Sequence, residues 1–130
     1  MKKNIKVAVY GSLRKGLGNH VVLSGADYLG ESTVTFPANM RSYGAFPYVH
    51  TKNNIEKVVK PIKVELYAVD EEGLQRLDCL EGYPHFYNRS EFVFKDGTMA
   101  WMYHIEEEQH QDHTLVIEGD WKEFLERGRT

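Results

Sequence analysis

The chain has 130 residues, enough for one domain that buries a hydrophobic core without metals or disulfides. A formal net charge of −3 supplies no global basic field, which argues against nucleic acid and anionic membrane as partners. Cys79 is the only cysteine, so an intrachain disulfide is excluded, and no apolar run approaches the length of a membrane span.

The apolar run after the N-terminal MKKN is too short for a signal-peptide core. We expect a single domain over residues 1–130, soluble and cytoplasmic, with no cofactor and no metal. The sequence leaves its oligomeric state open.

In chain order, IKVAVY (5–10) is rich in β-branched and aromatic residues and reads as a buried strand. The stretch YGSLRKGLGNH (10–20) follows, a loop with three glycines and two basic residues. GADYLGESTVTF (25–36) alternates loosely and reads as a second strand. RSYGAFP (41–47) and HTKNN (50–54) read as loops around a strand FPYVHT (46–51). PIKVELYAV (61–69) sets Ile62, Val64, Leu66 and Ala68 on one face, with polar residues partly opposite.

DEEGLQRLDCLEG (70–82) reads as a helix. Asp70 caps it, Leu74, Leu77 and Leu80 line one face, and Gly82 stops it. FYNRSEFVF (86–94) and TMAWMYHI (98–105) form a hairpin through Lys95-Asp96-Gly97, where Asp-Gly supplies the positive φ of a tight turn. GDWKEFLER (119–127) offers a second helix, capped by Asp120 ahead of Trp121, Phe124 and Leu125. Short strands with few helices point to an α+β domain. Its sheet is expected to curl into a small mixed β-barrel of about six strands, with a few short peripheral helices.

Two stretches carry chemistry. The glycine loop has the Gly11–Gly16 spacing of a phosphate cradle, but Leu17-Gly18 stands where Lys-Ser/Thr is required. The dinucleotide-binding glycine spacing also fails. An anion-holding loop and a plain strand-ending turn both remain. In LDCLEGYPHFYNR (77–89), Glu81 sits at the C-terminal end of the expected helix, where the macrodipole disfavours a carboxylate. Leu77, Leu80, Tyr83, Phe86 and Tyr87 surround it in sequence and would desolvate it further. Both effects raise its pKa toward the range of a general acid or base. The plainer alternative is an exposed glutamate that tolerates the position.

Taken together, YGSLRKGLGNH and LEGYPHFYNR resemble the γ-glutamylcyclotransferase-like family, in particular its AIG2-like and γ-glutamylamine cyclotransferase branch. The resemblance runs through Tyr10–Leu13, Asn19-His20, Tyr67–Asp70, Leu77-Asp78, Glu81-Gly82, Tyr87–Arg89 and Gly119–Trp121. Arg14-Lys15 reverses the Lys-Arg order common in the amine branch, a mild departure. The resemblance implies a β-barrel with a cavity at one mouth. It implies Tyr10, Gly11, Ser12 and Leu13 as the substrate loop and Glu81 as acid/base. The reaction it implies is cyclisation of a small-molecule γ-glutamyl substrate to 5-oxoproline without a cofactor. A non-catalytic ligand binder on the same fold is the alternative, and a nucleotide-handling protein a distant third.

Other residues carry duller readings beside functional ones. Ser12 has no histidine partner in any motif and fits loop hydrogen bonding better than nucleophilic attack. Cys79 reads as a small buried hydrophobe. Glu106–Glu108, His110, Asp112 and His113 read as a solvated loop rather than a metal site. Tyr87 and Tyr103 either line the cavity or pack as strand aromatics. Arg89 meets a substrate carboxylate or a structural ion pair. Trp101 and Trp121 are assigned to packing.

Overall fold

The computed structural model describes residues 2–11, 13–34, 38–42, 47–50, 62–85, 87–105, 114–115 and 122. Strand β1 (Ile5–Val9) runs antiparallel to β5 (Lys63–Val69) on one side and parallel to β7 (Met99–His104) on the other. Outside these lie β2 (Asp27–Thr33), paired with β5, and β6 (Asn88–Val93), paired with β7. The order β2-β5-β1-β7-β6 makes one five-stranded mixed sheet. β3 (Asn39–Ser42), β4 (Pro47–His50) and β8 (Thr114–Leu115) form a second, three-stranded sheet in the order β4-β3-β8.

The expected barrel is not formed. Closure needs a hydrogen-bonded ladder between the two outer strands, β2 and β6. Among the described residues that ladder is reduced to the isolated bridge Val34–Phe94, beside a 3.1 Å bond from Lys95 N–H to Thr33 O and hydrogen bonds between Ser32 and Asp96. The remaining strands go to a separate sheet instead of extending this one. The domain is α+β with an open mixed sheet.

Both faces of that sheet are covered, which is why β1 and β5 read as nearly continuous apolar runs. Ala8, Val64, Leu66, Ala100 and Met102 pack with Met40 and Val49 of the small sheet. On the other face Val7, Val9, Tyr67, Val69 and Tyr103 pack against Leu77. The expected polar face of β5 is therefore interior: Glu65, Tyr67 and Val69 are all buried.

Helix α1 (Glu71–Glu81) begins where Asp70 accepts a 2.8 Å bond from Gly73 N–H. It ends at Gly82, whose φ of 68° lets the N–H groups of Gly82 and Tyr83 reach the last carbonyls, Cys79 O and Asp78 O. Leu77 is fully buried, but Leu80 is 42% exposed and Cys79 is exposed, contrary to expectation. Helical geometry explains both. Steps of three residues fall short of a full turn, so by Leu80 the leucine row has rotated off the buried face, and Cys79 lies nearly opposite Leu77.

The hairpin turns at Lys95–Gly97 as expected, with Gly97 at φ 86°. Residues 41–42 and 47 of the expected loop RSYGAFP belong instead to β3 and β4. A short 3-10 helix, Gly18–Leu23, follows the glycine loop and was not anticipated. The second expected helix lies outside the described residues except for helical Lys122, and the acidic His-containing stretch 106–113 lies outside them altogether.

Candidate active site

Three separate segments converge at the C-terminal end of α1. The helix supplies Glu81, the end of β1 supplies Tyr10, and β7 with the residue before β6 supplies Tyr103 and Tyr87. The Glu81 carboxyl is only partly exposed, and burial pushes its pKa up from the ordinary 4.5 to about 7. Tyr10, Tyr87 and Tyr103 are raised first by their own burial. At Tyr103 the hydrogen bond to Asp78 adds to the rise and at Tyr10 the neighbouring Tyr87 does, and the Glu81 charge contributes at all three. Tyr48, buried in the small sheet, adds to the rise at Tyr87.

The tyrosines are held by defined partners. Tyr10 OH donates to Tyr103 O at 3.0 Å and accepts from Val49 N–H at 3.3 Å, so the small sheet is tied to the site through Tyr10. Ile105 N–H donates to Val49 O at 2.8 Å, a second tie between the sheets. Tyr103 OH donates to Asp78 Oδ1 at 2.6 Å. Arg89 Nε and Nη2 reach the two Asp78 oxygens at 2.8 and 3.2 Å, a bidentate pair. The guanidinium also sits 4.4 Å from the Tyr83 ring centroid and 4.6 Å from that of Trp101. Of the two readings of Arg89, the structure contains the ion pair. Asp78 stands one helical turn before Glu81 and was missed as a site residue. Its partners Arg89 and Tyr103 are distant in sequence, and only the Leu77-Asp78 match marked it.

The glycine loop begins at Tyr10, immediately after β1. Arg14 N–H closes a turn on Gly11 O at 2.9 Å, and Leu13 is buried, its carbonyl contacted by His20 Nδ1 at 2.9 Å. A carbonyl only accepts, so that nitrogen carries the proton. Arg14 is also buried: its Nε lies 3.0 Å from Glu65 Oε2 on β5. Ser12 lies outside the described residues. The structure thus brings Tyr10, Glu81, Tyr87 and Tyr103 together, with Gly11 and Leu13 in the adjoining loop.

Chemically, the site offers a carboxyl whose pKa burial raises to about 7, tyrosines that feel its charge, and a closely turned loop that follows Tyr10 in the chain. Among the described residues no group of three or more His, Cys, Asp or Glu is placed to hold a metal ion, and no helix is long and apolar enough to cross a membrane.

The sequence profile of the family described as gamma-glutamyl cyclotransferase, AIG2-like, matches residues 7–123. A Vibrio cholerae protein named as a putative gamma-glutamylcyclotransferase is 36% identical over 115 residues, covering 88% of this chain and 93% of its own. A Methanocaldococcus jannaschii protein with the same description is 36% identical over 123 residues, covering 91% and 96%. The crystal structure of an uncharacterized protein from Pyrococcus horikoshii superposes with a TM-score of 0.76 at 27% identity, covering 97% of each chain.

Proposed function

Because this chain belongs to the gamma-glutamyl cyclotransferase, AIG2-like family, we propose that it is a cofactor-independent γ-glutamylcyclotransferase acting on a γ-glutamyl amine or related conjugate. In this reading the substrate's α-ammonium gives a proton to Glu81. The freed amine attacks its own γ-carbonyl carbon and a C–N bond forms. The bond from that carbon to the attached amine then breaks as Glu81 returns its proton to the departing nitrogen; the ring nitrogen gives up its second proton, which Glu81 passes to the same amine, so 5-oxoproline and an ammonium ion leave. The nucleophile is tethered to the electrophile, so positioning replaces a covalent enzyme intermediate.

The observation that carries the reading is the pKa of about 7 at Glu81, among Tyr10, Tyr87 and Tyr103. A carboxylate near its usual value would be a weaker base toward an ammonium group. Tyr87 and Tyr103 serve as walls of the substrate site. Backbone N–H groups of the Gly11–Leu13 segment, Ser12 included, hold the substrate's carboxylate or developing oxyanion.

The test is incubation with a panel of γ-glutamyl amines, dipeptides and related conjugates, with 5-oxoproline followed by mass spectrometry. Turnover by the native chain and its loss in Glu81→Gln are expected. Thermal stabilisation by panel members with no 5-oxoproline would replace the enzyme with a binder.

A further inference from the structure

We propose that Glu65 is a positioning residue that locks the backbone of the glycine loop into the conformation that receives substrate. The proposal rests on the functional reading above for its kinetic consequence, but not for its structural one.

Glu65 lies in the middle of β5 and is 2% exposed, a carboxylate inside the sheet between Val64 and Leu66. Its register partners are Val9 of β1 and Glu31 of β2, so it sits level with the point where β1 gives way to Tyr10 and the loop. Oε1 accepts from Lys15 N–H at 2.7 Å and from Tyr67 OH at 2.9 Å. Oε2 faces Arg14 Nε at 3.0 Å and Lys122 Nζ at 3.4 Å. Burial alone would raise its pKa. The Lys15 N–H, Arg14, Tyr67 and Lys122 outweigh it and hold the carboxyl below the ordinary value. Glu65 therefore stays charged and takes no part in proton transfer near neutrality.

Two of those partners belong to the loop, and one is its backbone. A main-chain N–H fixed on a buried carboxylate sets the path of the chain in a way that a side-chain pair alone does not. The turns Arg14 N–Gly11 O and Leu17 N–Arg14 O, at 2.9 and 3.0 Å, and the His20–Leu13 O bond propagate that fixed point to Gly11, Leu13 and Leu17. Stability is a poor reason for such a device. A buried ion pair is often matched or bettered by apolar residues of similar volume, because both charges must be desolvated. Loop geometry is the better reason. A displacement of about 1 Å in a positioning element can cost on the order of 100-fold in rate.

That difference supplies the test. The double variant Arg14→Met/Glu65→Leu fills the same space without charge, and Glu65→Gln is the milder single change. Stability, kcat/KM with its pH profile, and amide hydrogen exchange at Lys15 are measured for both. We expect the double variant to stay folded, its denaturant midpoint lowered at most by the hydrogen bonds that Lys15 N–H and Tyr67 OH lose. Its kcat/KM should fall about 100-fold with the acid limb still near pH 7, and its Lys15 amide should exchange at least about tenfold faster while β1 and β5 amides do not. Glu65→Gln should show the same changes in smaller measure. Native kcat/KM in a folded double variant overturns the proposal. So does unchanged exchange at Lys15, whether or not the native chain produces 5-oxoproline. Faster exchange in a chain whose native form yields no 5-oxoproline upholds the loop anchor and removes the cyclotransferase reading instead.

Discussion

Replacing Glu81 by Gln should make the protein more stable above neutral pH while abolishing its turnover. The carboxyl is carried from 4.5 to about 7 by burial, so between those values the folded state binds a proton that the unfolded chain has released. Stability must then fall as pH rises through that window. It is complete below about 4.5, and the loss reaches its full size above about 7. At roughly 1.4 kcal/mol per pH unit, the cost of holding the ionised carboxyl in the folded site is about 3 kcal/mol. Gln cannot ionise and escapes that cost. Urea denaturation of both chains at pH 4 and pH 8 separates the effect from ordinary packing. The variants should be nearly equal at pH 4. At pH 8 Glu81→Gln should be more stable by up to about 3 kcal/mol, a rise in Tm on the order of 10 °C. A stability difference that does not change with pH would refute the assignment of the raised pKa to Glu81.

The same titration predicts that kcat/KM for 5-oxoproline formation climbs about tenfold per pH unit below about 7 and levels off above it, read from initial rates across pH 5–9. Tyr103→Phe removes the 2.6 Å donation to Asp78 while leaving Arg89 in place, and should cost about 1.5–3 kcal/mol in urea denaturation. Asp70→Ala removes the cap on Gly73 N–H and should cost about 1 kcal/mol; an unchanged midpoint would contradict the capping role.

What the sequence disclosed is what local chemistry decides. Asp70 and Gly82 bracket the helix because capping and the left-handed C-terminal turn are written within a few residues, and Asp-Gly marks the hairpin for the same reason. Three-residue spacing alone misjudged Leu80, since it ignores the drift of the row around the helix. The open sheet was illegible because closure depends on whether β2 and β6 pair, and no local pattern reports the distance between edge strands. Glu65 was illegible for a related reason. Its partners Arg14 and Lys15 are fifty residues away, and within β5 it looks like a polar residue on the outer face of a strand.

Among the described residues Glu65 is buried and Glu81 only partly exposed, and their surroundings separate them. Glu65 is given an arginine, a lysine, a tyrosine hydroxyl and a main-chain N–H, which together overcome burial and fix it as a carboxylate. For Glu81 burial is the cause of the upward shift. The charge nearest along the helix, Asp78, is already engaged by Arg89 and Tyr103. A group that must take and return a proton needs its two states close in energy at working pH, whereas a group that holds a loop needs one state only. That criterion is what supports proton transfer at Glu81 in the proposed reaction and the proposed positioning role of Glu65. Exchanging their environments, not their identities, would exchange their roles.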